Sequence, residues 1–308
     1  MKTEKNGVWA KRSRPKINFY KVDSEEVESL LSSKFKGGFP VILSSARGGI
    51  KIIVQEFWPK KEISIFPYAS ECVVNAIQAA SVVPCTRTDF HSDIIYNQWG
   101  MLDQTVVVNP FIEDSCDTLL KEGSSVLRLG GQFEIWSLPK ILNTRFGAVV
   151  WCRKEDDASY LRKARDNTTK LQIWKKKLYR NLRFINIWLY RMWENSEFES
   201  HNLTGKELGM IRKEILKWKE NYQERIELGI SAHEKLIHEF DEFPEFLANI
   251  ELVSDEDSAP VVVVVNSYVP AKSNWADKYF KIMHRFSSGS KPEKRTVYKF
   301  LQDKGLRC

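Results

Sequence analysis

The chain has no long hydrophobic run: its longest purely aliphatic stretch is Val261 to Val265, far short of the ~20 residues that a bilayer-spanning helix needs. It does not open on an apolar segment either. Met1 to Lys16 is polar and basic, so neither a secretory signal nor a leading membrane anchor is expected, and the cytoplasm is the default compartment. Cysteines are few and scattered. The five (Cys72, Cys85, Cys116, Cys152, Cys308) show no metal-ligand spacing, and four sit in apolar or strand-like contexts that suit buried thiols. Internal repeats and long low-complexity segments are missing too. Acids are scarce in one place: residues 160 to 191 carry many Lys and Arg and few Asp or Glu, whereas 231 to 258 is acidic. With a net charge of +7, that asymmetry points to a local anionic partner such as membrane headgroups, a nucleotide diphosphate or nucleic acid.

What is present is an ordinary globular composition, 43% apolar and 28% charged over 308 residues, enough for one large domain and a small one. Ser24 followed by Glu25, Glu26 and Glu28 reads as a helix start, with the helix running to about Lys36 and stopping at Gly37-Gly38. Beyond it, Phe39 to Leu43 and Glu62 to Phe66 read as strands, and Gly48 to Phe57 and Glu71 to Ala80 as helices. Val82 to Cys85, Thr105 to Ile112, Gln132 to Trp136 and Ala148 to Cys152 read as further strands. Strands alternating with helices predict a mainly parallel α/β sheet with ligands at the strands' carboxyl ends, where Ser44, Asp114 and Lys140 fall. From Asp156 to about Trp193 the apolar steps predict one long helix, and Thr204 to Phe240 a second. Pro260 opens a strand over Val261 to Val265, and helices near 274–284 and 293–304 complete a small α+β C-terminal domain. The expected division is a large cofactor-binding domain over 1–155, a helical segment over 156–245 and the small domain over 246–308.

Two strand ends carry chemistry. Ile112-Glu113-Asp114-Ser115 ends one apolar run in a carboxylate, and Phe133-Glu134-Ile135-Trp136-Ser137-Leu138-Pro139-Lys140 ends the next at an amine 26 residues later. Pyridoxal phosphate needs such a pair: an amine to form a Schiff base and an acid to keep the pyridine nitrogen protonated. Taken singly, Asp114 would equally serve as a helix cap, Lys140 as a solvated lysine, Ser137 as a structural turn residue or a phosphate ligand, and Arg47 as one half of a surface ion pair.

Together these residues resemble the DegT-type sugar aminotransferases, fold-type I pyridoxal phosphate enzymes, over roughly positions 20 to 165. Val41-Ile42-Leu43-Ser44-Ser45-Ala46-Arg47-Gly48-Gly49-Ile50 is similar to the family's strand, Ser-Gly-Thr loop and helix start. There the resemblance implies a cofactor phosphate resting on backbone N–H groups at Ser45, Ala46 and Arg47, the last adding a charge-assisted contact. Phe66-Pro67-Tyr68 with Asn75-Ala76-Ile77 resembles the next strand and helix, and Phe146-Gly147-Ala148-Val149-Val150 resembles the Gly-Gly strand after the lysine. The resemblance implies Asp114 as pyridine partner, Lys140 as cofactor lysine and Ser137 as a phosphate ligand. It further implies an amino-acid donor, a nucleotide-linked keto-sugar acceptor in polysaccharide or glycoconjugate biosynthesis, and a homodimer. A lysine at position 140 also sets the chain apart from the related dehydratases, which carry His there.

Five positions depart from the family pattern. Ser70 or Glu71 falls where an aromatic ring stacks on the cofactor, with Tyr68 close by; Asp117 replaces a Gln beside the phenolic oxygen; and Asn97 replaces a frequent His. The turn from Ser137 to Lys140 is short, and the chain ends at Leu306-Arg307-Cys308 where the family continues into a substrate-site segment. These departures leave open a non-catalytic homologue acting as an interaction protein at the membrane surface. The mixture of basic and aromatic residues over 170–193 is of the kind interfacial helices carry, or else an ordinary helix packs its apolar stripe on its own domain. Nucleic acid is the less favoured partner, for no recognised binding motif accompanies the charge.

Overall fold

The computed structural model describes residues 22–65, 71–86, 92–97, 109–116, 118–142, 144–168, 170–182, 185–224, 250–251, 258–260, 262–269 and 280–287. Helix α1 (Ser24–Lys34) starts one residue earlier than the sequence implied: the Asp23 side chain, not Ser24, accepts the Glu26 N–H at 2.8 Å. It stops before Gly37 and Gly38, whose φ values of 81° and 72° lie in the left-handed region. Strand β1 (Phe39–Leu43) then leads into α2 (Ala46–Phe57), and the chain continues through β2 (Glu62–Ile65), α3 (Glu71–Ala79) and β3 (Val83–Thr86). Two strands that hydrophobic pattern did not reveal follow at β4 (Ile94–Tyr96) and β6 (Thr118–Leu120), on either side of β5 (Ile112–Asp114). Strand β5 is shorter than the run from Thr105, part of which lies outside the described residues. Strand β7 (Phe133–Ser137) passes directly into the one-turn helix α4 (Leu138–Ile141), and β8 (Ala148–Cys152) returns beside it.

Seven of these strands form one sheet in the order β1-β8-β7-β5-β4-β2-β3. Only β8 runs antiparallel to its neighbours; the β2–β3, β2–β4, β4–β5 and β5–β7 pairs are parallel. This is the mainly parallel α/β sheet that the alternation of strands and helices predicts. Both faces are covered, as parallel sheets require, and the side chains sort by alternation. Val41, Leu43, Phe133, Ile135, Val150 and Cys152 join α2, α3 and α5 (Glu155–Asp166) on one face. Ile42, Trp136, Val149 and Trp151 join α1, α4 and α8 (Gly205–Leu216) on the other. On that second face Phe35, Trp136, Trp151 and Trp218 pack ring to ring at 4.9 to 6.0 Å between centroids.

The single helix expected from Asp156 to Trp193 is three: α5, α6 (Lys170–Leu182) and α7 (Ile187–Ser196). Its first break falls in Asp166-Asn167-Thr168-Thr169, residue types that favour caps and turns over helix interiors. The second helical run, from Thr204, is capped at its start by a reciprocal capping box between Thr204 and Glu207. Helix α8 ends at Leu216, a turn at Lys217 follows, and helix resumes over 218–224; the rest of that run lies outside the described residues.

Nearer the C-terminus, β10 (Ser258–Pro260) pairs with β6, and β11 (Val262–Val269) pairs with both β9 (Ile250–Glu251) and β12 (Phe280–Ser287). Strand β12 overturns the helix expected near 274–284: Phe280, Ile282, His284 and Phe286 repeat at a period of two, not 3.6. The expected helix over 293–304 lies outside the described residues.

Candidate active site

The carboxyl ends of β1, β5 and β7 meet at one edge of the sheet. Gly147 ties two of them together: its N–H donates to the Ser44 carbonyl (3.2 Å), and its own carbonyl accepts from Leu138 N–H (3.1 Å). Only glycine fits there, with φ at 100° and the Ile211 and Leu138 side chains 2.8 and 3.1 Å from where a Cβ would stand. Ser137, at the end of β7, is half-buried and makes no side-chain cap bond to α4. Lys140 is the third residue of that helix turn, half-buried, so the short turn read from Ser137 to Lys140 is a single turn of helix.

Asp114 closes β5 and is 6% exposed. The Cys116 N–H donates to its Oδ1 at 3.0 Å, fixing the carboxylate at the strand end. Asn97, wholly buried after β4, donates its N–H to the Asp114 carbonyl (2.9 Å) and its side-chain amide to Ser115 Oγ (3.0 Å), and the Thr118 hydroxyl donates to the Asn97 carbonyl. Asp117, Tyr68 and Ser70 lie outside the described residues.

At the end of β1, Ser45 is the N-cap of α2; its Oγ accepts Gly48 N–H at 3.1 Å and donates to the Glu197 carbonyl. Ser44 N–H donates to Ser200 Oγ (3.2 Å), and His201 N–H donates back to Ser44 Oγ (3.1 Å). The segment Glu197–His201 therefore lies directly against the first turn of α2. Gly48 permits the approach, since a Cβ there would come within 2.8 Å of the Ser200 nitrogen. Sequence reading missed this segment. Its one signal is the Gly48-Gly49 pair inside a helix, a costly placement unless another backbone comes close.

Glu113 is the other residue sequence reading left without a role. It is fully buried, faces Glu134 in register across β5 and β7, and accepts N–H bonds from Gly131 (2.8 Å) and Leu129 (3.2 Å). Its Oε2 makes no hydrogen bond among the described residues. Burial first, and the neighbouring Glu134 charge second, push its carboxyl from the ordinary 4.5 up to about 7. Between those values the folded chain keeps a proton that the unfolded chain releases, so stability falls as pH rises from 4.5 to 7 and levels off above. The fall amounts to about 3 kcal/mol. Glu113→Gln is expected to flatten it: urea unfolding at pH 5 and pH 8 should give nearly equal stabilities for the variant and unequal ones for the parent. Parallel pH profiles would place the proton elsewhere.

A doubly covered sheet of this order, with a buried carboxylate, an amine and a helix first turn at its carboxyl edge, defines the fold-type I class of pyridoxal phosphate enzymes. A family described as "Putative PLP-dependent aminotransferase" matches residues 31–247, and the chain belongs to it. It is an enzyme of that class, and pyridoxal phosphate is its cofactor. Among solved structures it is similar to S. venezuelae DesV in complex with a ketimine intermediate, at 13% identity and TM-score 0.53 over 82% of this chain and 70% of that one. A "Putative sugar aminotransferase", Spr1654 from Streptococcus pneumoniae in its PMP form, gives 12% and 0.52 over 81% and 72%. A DegT DnrJ EryC1 StrS aminotransferase from Brucella abortus gives 8% and 0.51 over 91% and 73%. At such identities the likeness is one of fold. No curated protein matches the chain in sequence.

The residues present fit the cofactor at both ends. Asp114 offers a buried, oriented carboxylate for the ring nitrogen. At the phosphate end Ala46 and Arg47 are half-buried in the first turn of α2, where backbone N–H groups have no intrahelical carbonyl. The Ser45 hydroxyl and the Gly48 N–H are already bonded within the chain, so Ser45 shapes this turn through its cap.

Proposed function

We propose that the chain transfers an amino group from an amino-acid donor to a keto sugar carried on a nucleotide, as a cytoplasmic homodimer serving polysaccharide or glycoconjugate biosynthesis. The observation that carries this reading is the buried Asp114 carboxylate at the sheet edge that also bears α4 and the first turn of α2. The likeness in fold to Spr1654, described as a sugar aminotransferase, supports the acceptor class.

Pyridoxal phosphate supplies an electron sink for the charge that develops at the donor's α carbon. Asp114 would hold the proton on the ring nitrogen, its own Oδ1 kept in place by Cys116 N–H. The N–H groups of Ala46 and Arg47, with the Arg47 guanidinium and the Ser137 hydroxyl, would hold the phosphate. Lys140 would anchor the cofactor and, once released by the donor, take the proton from the donor's α carbon.

One experiment tests the reading: titrate the purified chain with pyridoxal phosphate, record the visible spectrum, reduce with borohydride and map the label by peptide mass. A reducible band whose label sits on Lys140 supports the role given to that lysine. No label, or a label on another lysine, rejects it.

A further inference from the structure

Helices α6 and α7 form a hairpin whose two helices pack chiefly on each other. Four large apolar side chains on it face water: Trp174 is 59% exposed, Ile185 68%, Trp188 63% and Tyr190 40%. The contrast with Trp136, Trp151 and Trp218, all wholly buried, is wide. Apolar surface of this extent outside a core marks an interaction site.

Charge decides what the surface meets. Residues 170–193 contain seven Lys or Arg and no Asp or Glu, as large a positive excess as the whole chain's +7. Lys175 and Arg191 are exposed, Lys175 next in the chain after Trp174 and Arg191 one helical turn on from Trp188. A second copy docking through this hairpin by two-fold symmetry would press the patch on itself, bringing two sets of seven cations together against a single acid from each copy, Glu194 of α7. An anionic lipid surface meets both demands: headgroups pair with the cations, while Trp and Ile enter the boundary between headgroups and acyl chains. Among the described residues no helix is long and apolar enough to cross a membrane, so the contact is one of a helical hairpin lying on the surface.

We propose that the α6–α7 hairpin docks the protein on the surface of an anionic phospholipid bilayer through Trp174, Ile185 and Trp188, with Lys175 and Arg191, the latter one helical turn from Trp188, among the residues meeting the headgroups. The proposal does not depend on the catalytic reading.

Vesicle flotation of the full chain tests it, comparing phosphatidylglycerol–phosphatidylcholine with pure phosphatidylcholine vesicles, and adding the double variant Trp174→Ser, Trp188→Ser. Binding is expected on the anionic vesicles alone, to weaken with salt, and to drop at least about tenfold in the double variant. These side chains are exposed, so circular dichroism and thermal midpoint should match the parent. Absence of flotation, flotation unchanged in the variant, or equal binding to both vesicle types would overturn the proposal. So would a dimer in sedimentation that the double variant abolishes, or a short single-stranded oligonucleotide that binds the hairpin while vesicles do not.

Discussion

Lys140→Ala is expected to lower the rate of amino transfer by about 10²- to 10⁴-fold, the range that a positioned general acid–base contributes, while leaving the fold intact. Helix α4 packs through Leu138 and Ile141, at 0% and 1% exposure, whereas Lys140 is half-buried. Removing its side chain therefore opens no cavity in the core. Single-turnover kinetics with an amino-acid donor would measure the loss, and added methylamine is expected to restore part of the rate in the alanine variant, a small amine carrying the proton that the lysine carries. A structural lysine behaves otherwise: the loss would come with a lower thermal midpoint and no response to amine. Unchanged turnover would remove Lys140 from the chemistry.

The site is legible in the sequence to the extent that it lies at the ends of buried strands. Val41-Ile42-Leu43, Phe133 to Trp136 and Ala148 to Cys152 are apolar on both sides because both faces of the sheet are covered, so each run stands out and the residue that ends it can be read. Asp114 and Ser45 were read as candidates that way. The partners of the α2 turn were not: Ser44 and Ser200 are 156 positions apart, and nothing in Glu197 to His201 has a period or a motif. Glu113 and Glu134 show a different failing. Glu113 stands next to Asp114 in β5 and Glu134 is the one acid of β7, and only the register of β5 against β7 makes Glu113 and Glu134 a pair; pattern alone assigns a strand but not its neighbour.

Helical stretches divide along the same line. The capping box at Thr204 is local and was readable, as was the stop at Gly37. The break between α6 and α7 is not, because apolar steps persist across it: Leu178, Leu182, Ile185 and Leu189 keep helical spacing although the backbone turns. Periodicity reports which residues are apolar at intervals of three and four. It does not report whether the chain between them is one helix or a hairpin. The strand β4, three residues long, is below the length at which alternation carries information.

Arg165→Ala is expected to cost about 3–5 kcal/mol, the range for breaking a buried ion pair by removing one partner. Arg165 is 4% exposed; its Nη1 donates to Glu28 Oε1 at 2.8 Å and to the Ile42 carbonyl at 3.1 Å. Glu28 in turn accepts Ile42 N–H (2.9 Å) and Arg162 Nε (2.7 Å). The network binds α1, β1 and α5 at one point, beside the strand that delivers Ser44 and Ser45 to the site. Without Arg165, a buried carboxylate oxygen and a strand carbonyl both lose a donor, and no water can replace it in a packed interior. The pair Glu28→Gln with Arg165→Met should recover much of the loss, since removing both charges leaves neither uncompensated. Arg212 supplies the internal control: its partner Glu26 and it are 45% and 41% exposed, so Arg212→Ala should change stability by less than about 1 kcal/mol. Urea unfolding of the four proteins at constant m-value would measure all of this, and an Arg165→Ala as mild as Arg212→Ala would show that α1, β1 and α5 are held together by their apolar contacts alone.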